Sequence, residues 1–217
     1  MAVTGSIVKR FLSCDKISFI VTGMVVLLAT TSGDSEIALS KGNYTWILAA
    51  LSPFFFQFYV FKKLIYLGGR KKDIFWGSRI SYGILAGIIS LISTGIYIGI
   101  DPLNKKQNVL NLMEVCGWTE NNMMIAFVQQ MVFLYLAMVF LDMLLSMQSL
   151  WIGWIVDGLL IAIISIFTPI APLRHMLAEF FQIIMFNSHA IFHIILCLSF
   201  SAGLSVIELL ILKRKTV

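Results

Sequence analysis

Apolar residues in this chain fall into long continuous runs, separated by short polar or basic breaks. Runs of about 20 residues, at 1.5 Å per residue, match a ~30 Å hydrocarbon core. Backbone groups find no water in lipid, so such runs become helices or closed barrels. Unbroken rather than alternating apolarity selects helices. The pattern predicts an all-α, polytopic helical membrane bundle, one integral membrane domain over 1–217. Its spans fall at 17–31, 44–60, 75–100, 122–147, 150–168 and 188–212. The stretch 173–186, with Arg174, His175 and Glu179, reads as an interfacial or re-entrant helix ahead of a break at Asn187-Ser188. Counting it as a span gives the alternative of seven transmembrane helices.

Local signals refine the picture. The first run follows a basic segment, as a signal peptide would, but no small-x-small cleavage site comes after it, so it reads as a retained helix. Pro53 removes a helix hydrogen bond mid-span and predicts a kink. The spans 122–147 and 150–168 are joined by almost nothing and should form a tight hairpin, which Pro169 and Pro172 end.

Composition agrees: 59% of residues are hydrophobic and 12% charged, and the mean hydropathy is +0.92, too little polar surface for a soluble domain. Six spans with both ends cytoplasmic put eleven basic residues on that side (in 1–16, 62–72 and 213–215). Lys41, Lys105, Lys106 and Arg174 lie opposite, which is the bias of the positive-inside rule. The net charge of +5 is therefore spent beside spans, and the bilayer, not nucleic acid, is the expected partner. Cys14, Cys116 and Cys197 are too few and scattered for a disulfide framework.

Four ionisable residues lie inside apolar runs: Arg79, Asp142, Asp157 and Glu208. The three carboxylates sit roughly 7–13 Å from the same end of their spans at 1.5 Å per residue, and Arg79, about four residues into its span, is at a similar level. A charge at a helix centre costs at least ~2.5–3.5 kcal/mol, so such groups pair or line a wet cavity. They read either as an ion-pair network that fixes the helices or as a transport path or gate. Gly83, Gly87, Ser90 and Thr94 share a helical face with Arg79, a small-residue stripe that suits close packing within the chain, a homo-oligomer or client membrane proteins.

His189 and His193, four apart, share a helix side. They could hydrogen-bond neighbouring helices or give a zinc ion two ligands, with His175 or Glu179 as a third. The six residues S-H-A-I-F-H, Ser188 to His193, resemble the last-helix motif of the alkaline ceramidase and adiponectin-receptor families. In those families paired histidines help to hold zinc, together with a histidine and acidic or serine groups from earlier helices. Here the first five spans contain no histidine.

Asn43-Tyr44-Thr45 is a glycosylation sequon at a span edge. Lys213 and Lys215 stand at the spacing of the K-x-K-x-x retrieval signal and point to the endoplasmic reticulum membrane in a eukaryote; a plain stop-transfer anchor reads the same. No H-E-x-x-H, G-x-S-x-G or P-loop occurs, which leans away from an enzyme. The leading expectation is a carrier or conductor of a small ion or solute across an internal membrane. The alternatives are a membrane scaffold, assembly or trafficking factor, and a metal-dependent intramembrane lipid hydrolase.

Overall fold

A computed structural model describes residues 2–28, 37–103, 108–187 and 189–214. The chain opens with α1 (Ala2–Cys14) and α2 (Lys16–Leu28). After a short β1 (Ile37–Leu39) come the single turn α3 (Lys41–Tyr44) and α4 (Ile47–Phe55). A π-helical turn (Phe56–Val60) then runs into α5 (Phe61–Tyr66). Next are α6 (Lys71–Gly99), β2 (Asn108–Leu110), α7 (Leu112–Val115) and α8 (Met123–Met147). The order closes with α9 (Trp151–Phe167), α10 (Ala171–Ile184) and α11 (Ala190–Arg214).

Four helical stretches are long and apolar enough to cross a bilayer: Lys41–Tyr66, Lys71–Leu103, Met123–Met147 and Ala190–Arg214. Two bent pairs bring the count to six if each is one span: Gly5–Ser13 with Lys16–Leu28, bent by 47°, and Trp151–Phe167 with Ala171–Ile184, bent by 119°. The architecture is therefore an all-α bundle with four to six candidate spans. The expected fifth span and the expected interfacial helix, 150–168 and 173–186, together form one sharply broken unit.

The N-terminal segment departs from the sequence reading. Instead of preceding the first span as a basic tail, 2–14 is helical, and Ile7 and Phe11 are buried in the main core beside α6. The apolar side of this helix is short, which is why hydropathy alone passes over it. The Phe11 ring lies 5.0 Å from Phe56 and 5.6 Å from Tyr82, locking α1 to the π turn and α6.

At Pro53, where the sequence predicts a kink, the helix changes type: Lys41–Tyr66 is one candidate span, and the missing N–H is followed within three residues by the wider π turn. Around it, α8 packs against α4, α6 and α11, with Leu85, Ile89, Leu134 and Met138 filling the centre.

The close approach on α6 lies outside the Gly83–Thr94 stripe. A methyl added at Gly83 meets nothing within 4 Å, and at Gly87 only Met131 Sδ at 3.9 Å, whereas at Gly77 it would stand 2.5 Å from Ile7 Cγ2. Ser90 and Thr94 are buried. Gly77→Ala should therefore push α1 off α6 and cost about 1–3 kcal/mol, while Gly83→Ala stays within about 0.5 kcal/mol. Thermal unfolding in detergent reads the difference.

Away from the charged end, β1 and β2 pair in parallel with Ala38 opposite Val109. A small polar cap is built on Asp101. Its Oδ2 accepts from Ser40 Oγ at 2.8 Å and Asn111 Nδ2 at 3.2 Å. At the other extreme of packing, α9 buries only Gly153 and α10 buries nothing. Trp151 and Trp154 are each 73% exposed.

Candidate functional site: a buried charge cluster

Arg79 is nine-tenths buried on α6 (5% exposed) and reaches two helices at once. Its Nη1 lies 3.4 Å from Asp142 Oδ2 on α8, and its Nη2 pairs with Glu208 on α11. Phe75 and Tyr82, one turn to either side on the same face, hold the guanidinium between their rings at 4.9 and 5.7 Å. Gln57, in the π turn, donates from Nε2 to Asp142 Oδ1 at 2.6 Å. Pro53 and the π turn thus have a consequence at the site, since the altered helical phase accompanies a side chain aimed at α8. Asp142 and Glu208 are fully buried.

A third carboxylate lies at the α1–α2 bend. Asp15 is 2% exposed and accepts hydrogen bonds from Ser18 Oγ and from Ser52 Oγ, the latter at 2.5 Å. No lysine, arginine or histidine among the described residues stands within ion-pair distance of it. Sequence reasoning missed Asp15 because it is flanked by Lys9, Arg10 and Lys16 and reads as part of a solvated segment. It missed Gln57 as well, although a glutamine within an apolar run is a signal of the same kind as Asp142.

Of the four expected path residues, three converge and one does not. Asp157 on α9 is half-buried and accepts from Gln148 Nε2 at 3.2 Å at the α8–α9 turn. It belongs to that turn and not to the cluster. The tight hairpin that sequence predicts brings Asp157 near the end of α8 but on its outer side.

Buried polar side chains continue away from the cluster along the same helices. Ser90 and Ser93 on α6 and Gln130 and Ser146 on α8 are buried with no protein hydrogen-bond partner among the described residues. Native interiors rarely leave such atoms unpaired, so water is their natural complement.

The histidine pair is split. His189 is exposed and His193 is fully buried, its Nε2 2.9 Å from the Ile184 carbonyl at the end of α10 and its ring 5.5 Å from Trp118. His193 thereby ties α10 to α11. Among the described residues no group of three His, Cys, Asp or Glu is placed to hold a metal ion, and His175 meets only Glu179 on its own helix. Ser188, the first residue of the S-H-A-I-F-H motif, lies outside the described residues.

Asn43 uses both ends of its amide in the polar cap, donating to the Leu110 carbonyl and accepting from Leu112 N–H, each at 2.9 Å. The hydroxyl of Thr45 is likewise committed, to Gly42 O at 2.7 Å. Lys213 is exposed at the C-terminal turn of α11, and Lys215 lies outside the described residues.

Cys116 follows α7 in the capping loop. Burial pushes its thiol up to about 12. Thiolate is then scarce throughout the neutral and mildly alkaline range. Peptide-mapped maleimide labelling should leave Cys116 unmodified from pH 7 to pH 9 in the folded protein and modify it after unfolding.

Comparison with known proteins gives no matching family model, no matching curated protein and no matching solved structure. The functional reading rests on the geometry of this chain.

Proposed function

We propose that this chain carries protons, or a small cation exchanged against them, through the interior of its helical bundle. The observation behind this reading is that three carboxylates, Asp15, Asp142 and Glu208, are buried in one bundle, and the one buried guanidinium among the described residues, Arg79, pairs with only two of them, Asp142 and Glu208. An excess of buried carboxylate over base is tolerable in a low-dielectric interior only with a bound proton or cation. Arg79 keeps two of the carboxylates organised. The hydroxyls of Ser18 and Ser52 and the amide of Gln57 supply the donors that a purely apolar bundle would lack. The unpartnered Ser90, Ser93, Gln130 and Ser146 extend this polar lining along α6 and α8.

The finer assignment follows the charge distribution. Six spans with both termini cytoplasmic put eleven basic residues on one side, and Lys213 with Lys215 supports an endoplasmic reticulum membrane in a eukaryotic host. Proton flux into reconstituted vesicles, read by an entrapped pH dye, is the test. Wild type is expected to exceed protein-free vesicles, and Glu208→Gln to fall back to their level. Wild-type flux equal to that of protein-free vesicles sinks the carrier reading.

The second reading is a scaffold or assembly factor. The specific observation for it is the α9–α10 unit, in which α9 is apolar on nearly every side, α10 is amphipathic, and the two bury only Gly153 against the rest of the bundle. On that reading Trp154→Ala removes association with client membrane proteins, and no variant changes flux.

A further inference from the structure

Helix α2 is apolar in sequence, yet the only residues it buries are Ser18 and Thr22. Ile17, Ile20 and Met24 face outward, each more than half exposed. Asp15, Ser18 and Thr22 follow one another along a single face, and that face meets α4, which brings Ser52. Ser18 Oγ and Ser52 Oγ both donate to the Asp15 carboxylate, one to each oxygen. That carboxylate does not cap α2, because the backbone ladder runs on through the bend. Asp15 N–H donates to Phe11 O at 3.1 Å, and Phe19 N–H to Asp15 O at 3.3 Å. Lys16, next in the chain, is exposed. Ser81 and Ser201 show how a buried helix hydroxyl is satisfied locally: each returns to the carbonyl one turn back, Gly77 O at 2.8 Å and Cys197 O at 2.7 Å. Ser18 and Ser52 turn to Asp15 instead. Thr22, 6% exposed, has no hydrogen-bond partner for its hydroxyl among the described residues.

We propose that Asp15, Ser18, Ser52 and Thr22 form a binding site for a sodium ion. The ligands are the two carboxylate oxygens and the three hydroxyl oxygens; a hydroxyl that donates to Asp15 keeps lone pairs for a cation. An all-oxygen set suits a hard cation and needs no cluster of histidines, cysteines or several acids. Arg79 is engaged by Asp142 and Glu208, so Asp15 is left to balance a single positive charge. A divalent ion would leave uncompensated charge in a low-dielectric interior. Potassium takes more oxygens than this set offers, so the smaller ion fits. A proton alone would neutralise Asp15 but leave Thr22 Oγ1 without a partner. The bend of 47° between the first two helices falls at Asp15, and interrupted helices are where membrane bundles hold such ions. The inference rests on the carrier reading for its use and names the cation which that reading leaves open.

The test is equilibrium binding of radioactive sodium to the full chain in detergent, in a choline chloride buffer at pH 8. The expected result is saturable binding, displaced by unlabelled sodium and far less by potassium. Asp15→Asn should abolish it. Thr22→Val keeps the shape and removes one hydroxyl, and should weaken binding at least about ten-fold, the usual weight of one polar contact to a charged group. Ser81→Ala, whose hydroxyl serves its own helix, is the control and should bind as wild type does. Circular dichroism and gel filtration separate loss of the site from loss of the fold, and Thr22→Val decides the matter if Asp15→Asn does not fold. Absence of saturable binding by folded wild type overturns the site. Full binding by Thr22→Val and Asp15→Asn, or equal displacement by potassium, overturns it as well. Proton flux in vesicles keeps the two readings apart. Sodium binding without flux retains the site and removes the carrier; flux without sodium binding does the reverse.

Discussion

Arg79→Met should unfold far more easily than wild type, losing about 3–5 kcal/mol, the usual cost of removing one partner from a buried ion pair. Asp142 and Glu208 both face Arg79 and are fully buried, so losing the cation strands two carboxylates between α8 and α11. Methionine keeps most of the side-chain volume against Phe75 and Tyr82, so the loss reports charge and not a cavity. Glu208→Met in the same background should recover part of the loss, with a coupling of about 0.5–3 kcal/mol, because the pair shares one interaction. Unfolding of the single and double variants in detergent by heat or denaturant gives the cycle. If the double variant is as unstable as the sum of the singles, Arg79 and Glu208 are not coupled.

Trp118→Ala is the second large expected loss, about 3–5 kcal/mol for a fully buried aromatic. Trp118 lies in the loop after α7, stacks 6.2 Å from Trp46 on the α3–α4 side and contacts Phe133 on α8 at 5.7 Å. It also meets His193, the side chain that ties α10 to α11. One loop residue thus holds three helical regions together at the end opposite the charge cluster. Truncating it should release the capping loop first. Protease cleavage within 104–121 should then outpace wild type before global unfolding is seen.

The bundle was legible because hydrocarbon thickness and backbone hydrogen bonding leave so few solutions; Lys71–Leu103, Met123–Met147 and Ala190–Arg214 follow from run length alone. The convergence of Arg79 with Asp142 and Glu208 was legible by the same logic, since equal depth and opposite charge leave few other places for them. Depth, however, says nothing about which side of a helix faces inward. Asp157 has the right depth and lies on an outer helix, paired with Gln148.

Other features depend on tertiary contacts that composition hides. Asp15 is buried because α1 folds onto α6 through Ile7 and Gly77, and nothing local to Lys9-Arg10 signals that. The i, i+4 spacing of His189 and His193 implies a shared side, but helix α11 begins at Ala190, so His189 precedes it and need not follow its periodicity. The bend of 119° after α9 is written in Pro169 and Pro172. Whether the two arms make one broken span or a re-entrant hairpin depends on the bilayer and not on the chain's own propensities.

The most direct measurement is proton flux in vesicles reconstituted with wild type, Asp142→Asn and Asp157→Asn at equal protein density. Asn preserves the shape of Asp and can still accept from Gln57, but it cannot take up a proton. A carrier built on the Arg79 cluster predicts that Asp142→Asn falls to the protein-free level while Asp157→Asn conducts as wild type does. Full flux in Asp142→Asn, or its loss in Asp157→Asn alone, would contradict it.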